Sequence, residues 1–172
     1  MDPETCLMDI VVNMQFLLSW SSLRDLSPLH SYVWVKPPEG WIKVNFDAAV
    51  SDTCFIAGVV AQSYVGTVIC FTTSCFLPYS SLVAEAKAYL LVVKLVADNG
   101  WKFCVFKGDA KLVIDACRLL DDCLWEIRPI ISDIFSFALV FVAWDFVFVF
   151  REANFAAHDL AASAMHHYIE AS

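Results

Sequence analysis

A chain of 172 residues has material for one domain with a full hydrophobic core and too little for two. Its 59% hydrophobic content and mean hydropathy of +0.63 would suit a membrane protein only if the apolar residues gathered into spans. The longest apolar run, residues 137–144, is stopped by Asp145, well short of the roughly 20 residues a spanning helix needs. The formal charge of −8 excludes a nucleic-acid binder that works through a broad basic surface.

Residues 1–33 carry no firm periodicity and are read as a leader or linker, ahead of a domain over 34–170. Their apolar stretch from Ile10 to Leu18 follows Asp2, Glu4 and Asp9, where a secretory signal would carry positive charge, so no targeting segment is read. Seven scattered cysteines form no Cys-x-x-Cys pair, and no histidine stands beside them at zinc-ligand spacing. Buried thiols in a reducing, intracellular compartment are expected, with nucleus and cytoplasm not distinguishable.

After the breaker Lys36-Pro37-Pro38-Glu39-Gly40, the run Trp41-Ile42-Lys43-Val44-Asn45-Phe46-Asp47 alternates with the period of a strand. Ile42, Val44 and Phe46 fall on one face, and Lys43, Asn45 and Asp47 on the other. The strand delivers the Asp47 carboxylate to its end, where it either meets solvent or needs compensation such as a metal ion. Strands over 54–61 and 67–72 complete a meander. A helix of about five turns then runs from a cap at Ser80-Ser81 to a stop at Asn99-Gly100, with Leu82, Ala86, Tyr89, Leu90 and Val93 as its buried stripe and Glu85 beside it.

A fourth strand over 102–106 runs into Gly108-Asp109, where Asp109, taken alone, reads first as a helix cap favoured by the dipole and second as a site ligand. The helix that follows carries Leu112, Val113, Ala116, Leu119 and Leu120; the next carries Ile127, Ile130, Ile131, Ile134 and Phe135, with Pro129 in its first turn. A buried strand over 144–150 leads to a last helix starting near Asn154. The predicted order is βββαβααβα. Asp47, Glu85 and Asp109 could converge where the first and fourth strands are neighbours, and such a cluster repels itself unless cations bind. Trp41, Trp101, Trp125 and Trp144 read as core or core edge rather than base-stacking platforms.

Trp34 with Pro37-Pro38, the stretch from Gly40 to Asp47, Ala84-Glu85-Ala86-Lys87-Ala88, Gly108-Asp109-Ala110 with Leu112-Val113, and the stretch from Arg151 through Ala157-His158-Asp159-Leu160-Ala161 together resemble the plant RNase H-like domain family, allied to retroelement reverse transcriptases. The resemblance implies an α/β RNase H-like fold, a mixed five-stranded sheet flanked by helices. It implies endonucleolytic cleavage of the RNA strand of RNA–DNA hybrids, with Asp47, Glu85 and Asp109 as ligands of two Mg²⁺ ions, Mn²⁺ being a possible substitute. The fourth acidic position of many relatives is His158 here, which could ligate a metal or handle a proton. Asn45, Arg151 and Asn154 are candidate substrate contacts.

The sequence also departs from the family pattern. No Arg-Asp pair precedes the turn at Gly66, Ala110 replaces a usual serine, and no histidine lies in the link Glu152-Ala153. A basic extension is absent, and from Lys36 onward ten Lys and Arg face fifteen Asp and Glu, a balance of −5. Nucleic-acid affinity is therefore expected to be modest and salt-sensitive. The competing reading is a catalytically weakened nucleic-acid-binding or protein-interaction module on the same fold. The expected state is a monomer with no membrane association.

Overall fold

The computed structural model describes residues 36–77, 79–118 and 124–170. The leader over 1–33, together with Trp34, Leu119 and Leu120, lies outside them. The elements follow the predicted order: strands β1 (Ile42–Val50), β2 (Phe55–Gln62) and β3 (Val68–Phe76), helix α1 (Ser81–Asp98), strand β4 (Phe103–Gly108), helices α2 (Lys111–Arg118) and α3 (Arg128–Ala138), strand β5 (Ala143–Phe148) and helix α4 (Arg151–Glu170). They build one five-stranded mixed sheet in the order β3-β2-β1-β4-β5. The β1–β2 and β2–β3 pairs are antiparallel, and β1–β4 and β4–β5 are parallel.

β1 is therefore the central strand, and its alternation sorts two different interiors. Val44 and Phe46 face a large apolar core shared with α1, α2 and α3. There Phe46 stacks on Tyr89, whose ring also meets Phe106 and Phe146 edge-on. Lys43, Asn45 and Asp47 point to the opposite face but are only 2, 4 and 1% exposed. Asp47 is the sixth of nine strand residues, so the carboxylate does not end an edge strand in solvent. What ends near it is the parallel pairing with β4, whose last partners are Asn45 and Lys107. The sheet splits just before Asp47.

Ser80 caps α1, its Oγ accepting from the Val83 N–H and donating to Glu126. Gly100, at φ +69°, turns the chain out of the helix. The buried stripe is rotated from the predicted one: Ala86, Tyr89 and Val93 hold, but Val83, Ala84, Ala88, Val92 and Val96 complete it, and Leu82 and Leu90 are only half-buried. In α2, Leu112 is exposed while Val113, Ile114, Ala116 and Cys117 face inward. Pro129 sits in the first turn of α3, as expected, and Ile131 and Ile134 are buried. Trp125 corrects another expectation. It is 83% exposed, in the turn before α3 where Ile127 alone is buried.

Candidate active site

Two glycines let the site assemble. Gly58 pairs with Asp47 across β1–β2, and a Cβ there would meet the Ala157 carbonyl and the Ala161 nitrogen of α4 at 2.8 Å. Its lack of a side chain, with the small Ala157 and Ala161, lets the helix lie almost on the sheet beside Asp47. Gly108 does the same on the other face, where a Cβ would sit 2.5 Å from the Phe46 ring. Asp109 follows it directly.

α4 begins at Arg151 rather than near Asn154, because the Phe150 carbonyl accepts the first helical bonds, from Ala153 and Asn154. Asn154 is thus in the first turn, four residues and one turn before His158. Both side chains reach the sheet. The buried Asn154 amide donates to the Phe46 carbonyl at 2.9 Å and to Asp109 at 3.2 Å, and its oxygen accepts from Asn45 at 2.8 Å. This bridge spans the gap between β1 and the end of β4. Asn45 and Asn154 are placed as mutual braces beneath the carboxylates.

His158 Nδ1 lies 2.6 Å from Asp47 Oδ2, and Arg151 Nε donates to Asp109 Oδ2 at 3.3 Å. The other oxygen of Asp47, Oδ1, is buried without a partner, as is Oε2 of Glu85. Burial pushes the Glu85 carboxyl up to about 8, helped by the charges of Asp47 and Asp109 and opposed by Arg151. Asp47 is also raised, first by burial and then by Asp109, with His158 acting against both. The charges of Asp47 and Asp109 therefore reach Glu85, and that of Asp109 reaches Asp47, at the open end of β1 and β4. Asp109 acts toward α4 through Arg151 and Asn154, which favours the site reading over the capping one.

The donor set fits a hard divalent cation. Two buried carboxylate oxygens lack any donor, and a bound cation would relieve both the mutual repulsion and the desolvation that raise Asp47 and Glu85. Among the described residues, the group whose ligand atoms all lie within 4.8 Å of one another is His166, His167 and Glu170, exposed at the end of α4; Asp47, Glu85 and Asp109 are spread more widely than that. The sequence reading missed the bracing by Gly58 and Gly108.

Residues 45–164, more than half of the chain, match the reverse transcriptase-like family. The chain belongs to that family. Among solved structures, this reverse transcriptase-like domain is similar to RNase H1 from the halophilic archaeon Halobacterium salinarum, with 22% identity over 74% of this chain and 98% of that one, at a TM-score of 0.69. The N-terminal RNase H domain of a Mycobacterium tuberculosis protein follows at 17% identity, 76 and 97% coverage and a TM-score of 0.69. LC11-RNase H1 in complex with an RNA/DNA hybrid gives 16%, 74 and 99%, and 0.67. At these identities the likeness establishes the RNase H fold. No curated protein matches the chain. Among the described residues, no helix is long and apolar enough to cross a membrane.

Proposed function

We propose that this reverse transcriptase-like domain is an endoribonuclease that hydrolyses the RNA strand of RNA–DNA hybrids with two divalent metal ions, Mg²⁺ by preference. The reading rests on one observation above all: Asp47 and Glu85, both raised by burial and by the charge of Asp109, each keep a buried carboxylate oxygen without a partner. A fold does not keep such a self-repelling cluster for stability. The solved neighbour bound to an RNA/DNA hybrid supports the substrate class.

Asp47, Glu85 and Asp109 would hold the ions, all three offering the oxygen ligands Mg²⁺ and Mn²⁺ prefer. Bound there, the ions supply Lewis acidity and charge neutralisation for displacement at a phosphodiester. The protein's own groups do the positioning. Asn154 ties Asp109 to the β1 backbone, Arg151 fixes the outer oxygen of Asp109, and His158 orients Asp47. The Arg151 side chain is 65% exposed, so its guanidinium is also the cation placed to meet a substrate phosphate. With a balance of −5 from Lys36 onward the domain has little else to attract a polyanion, and cleavage is expected to fall steeply with added salt.

A second reading has its own observation. His158 and Arg151 already engage one oxygen each of Asp47 and Asp109, as in a site that binds hybrid without cutting it. Incubation of a labelled RNA–DNA hybrid with the protein in millimolar Mg²⁺ or Mn²⁺ separates the two. Cleavage of the RNA strand that disappears in Asp47→Asn is expected. Binding without cleavage under either ion would transfer the conclusion to the weakened module.

A further inference from the structure

At the far end of α4 a second cluster gathers, on the face of the sheet that carries the carboxylates but outside their site. Its chemistry is sulfur. Cys54 ends the β1–β2 turn and is 2% exposed. Its backbone is fixed by Ser51, whose N–H and Oγ both donate to the Cys54 carbonyl, while the Cys54 N–H donates to Ser51 Oγ. The Cys54 Sγ lies 3.8 Å from the thioether Sδ of Met165, itself 8% exposed. These two residues and Ile56 form a small buried cluster with Ala49 and Ala164 packed around it.

The third sulfur comes from the edge strand. Cys75 is paired with Ile56, so it shares a sheet face with Ile56 and, two residues earlier, with Cys54. Its thiol is exposed, and burial and then the Cys54 thiol push it up, with the Tyr168 hydroxyl of α4 acting against them. Both thiols are free. Two sulfur donors in contact, from a turn and the closing helix, and a third on the same sheet face of the edge strand therefore share one corner that no step of the proposed hydrolysis uses.

The donor types select the ligand. A metal–sulfur bond of about 2.3 Å, taken twice around one ion, spans an S···S edge of roughly 3.8–4.0 Å, which is the Cys54–Met165 separation. Thioether sulfur is a poor partner for hard cations, and Zn²⁺ sites are built from thiolate, imidazole and carboxylate, whereas a mixed thiolate and thioether set suits Cu(I). Two thiolates and one monovalent ion leave a single negative charge at the rim, near the exposed Cys75. We propose that Cys54, Cys75 and Met165 form a three-sulfur site for Cu(I), tying β3 and the β1–β2 turn to the last turns of α4.

The test is an anaerobic titration of the reduced full-length chain with Cu(I) against a chromophoric Cu(I) chelator. One ion per chain is expected to be held by wild type. Affinity is expected to drop in Cys54→Ser and Cys75→Ser by more than the roughly 10–100-fold that loss of a supporting group costs. Met165→Leu, which keeps the packing volume, should weaken binding as well. Cys70→Ser is the control, since Cys70 packs against the large apolar core on the other face and should leave binding unchanged. The site is overturned if wild type yields its copper fully to the chelator, or if Cys70→Ser weakens retention as much as Cys54→Ser does. Unaltered binding in Cys54→Ser with Cys75→Ser would overturn it too. Circular dichroism of each variant, matched to wild type, separates loss of ligand from loss of fold.

Discussion

The two faces of β1 carry opposite kinds of burial within one nine-residue strand. On one side Phe46, Tyr89, Phe106 and Phe146 form an aromatic interior with α1 across it. On the other, Lys43, Asn45 and Asp47 are equally hidden, but they are polar, and burial works against the charged forms of Lys43 and Asp47. Lys43 is pulled down to about 7 by burial and then by Lys107, while Glu85 and Asp47 are pushed up. The apolar face stabilises the domain; the polar face draws on that stability to hold its groups in place. Stability and chemistry should therefore respond in opposite directions when each face is altered.

The largest separation comes from adjacent residues. Asp47→Asn should lower hybrid cleavage by at least about 10²–10³-fold, the scale on which a positioned electrostatic group acts, while raising the melting temperature of the metal-free protein. Its neighbour Phe46→Ala should lower stability by about 3–5 kcal/mol through cavity formation beside Tyr89, measured by urea unfolding. Gly58→Ala sits between these extremes. Its Cβ meets α4 backbone, and the helix must shift at a cost of about 1–3 kcal/mol. Because the shift carries His158 away from Asp47, cleavage should fall with stability, and Ala157→Gly should not restore it, since the clash is with backbone atoms.

The smallest effect is a slope. Glu85 has a higher proton affinity folded than unfolded, from its ordinary 4.5 to about 8. Its contribution is therefore greatest below about 4.5 and is lost as pH rises through about 8. Asp47 is shifted the same way. Metal-free protein is expected to lose stability across that window, and Glu85→Gln to flatten the decline. A metal-free Glu85→Gln profile as steep as wild type would remove Glu85 from the cluster.

Much of this was legible in the chain itself. The alternation from Ile42 to Phe46, the cap at Ser80 and the stop at Asn99-Gly100 are local signals, and local physics settled them. The phase of α1 was not legible, because apolar residues from Leu82 to Val96 surround the helix almost completely and only the sheet beneath decides which ones are buried. Asn154 carries the composition of a helix cap. Its amide instead crosses to the Phe46 carbonyl, a tertiary contact that sequence spacing does not encode. Gly58 and Gly108 left no signal either, since nothing in a strand announces which backbone or ring will approach it. The candidate site was found through the order of Asp47, Glu85 and Asp109; its bracing came from packing.

Divalent-ion titration of thermal stability addresses the carboxylate cluster most directly. Millimolar Mg²⁺ is expected to raise the melting temperature of wild type by relieving repulsion among Asp47, Glu85 and Asp109. Asp47→Asn should begin above metal-free wild type and move little. An absent shift in wild type, or an equal shift in both proteins, would contradict a cation site at these three residues.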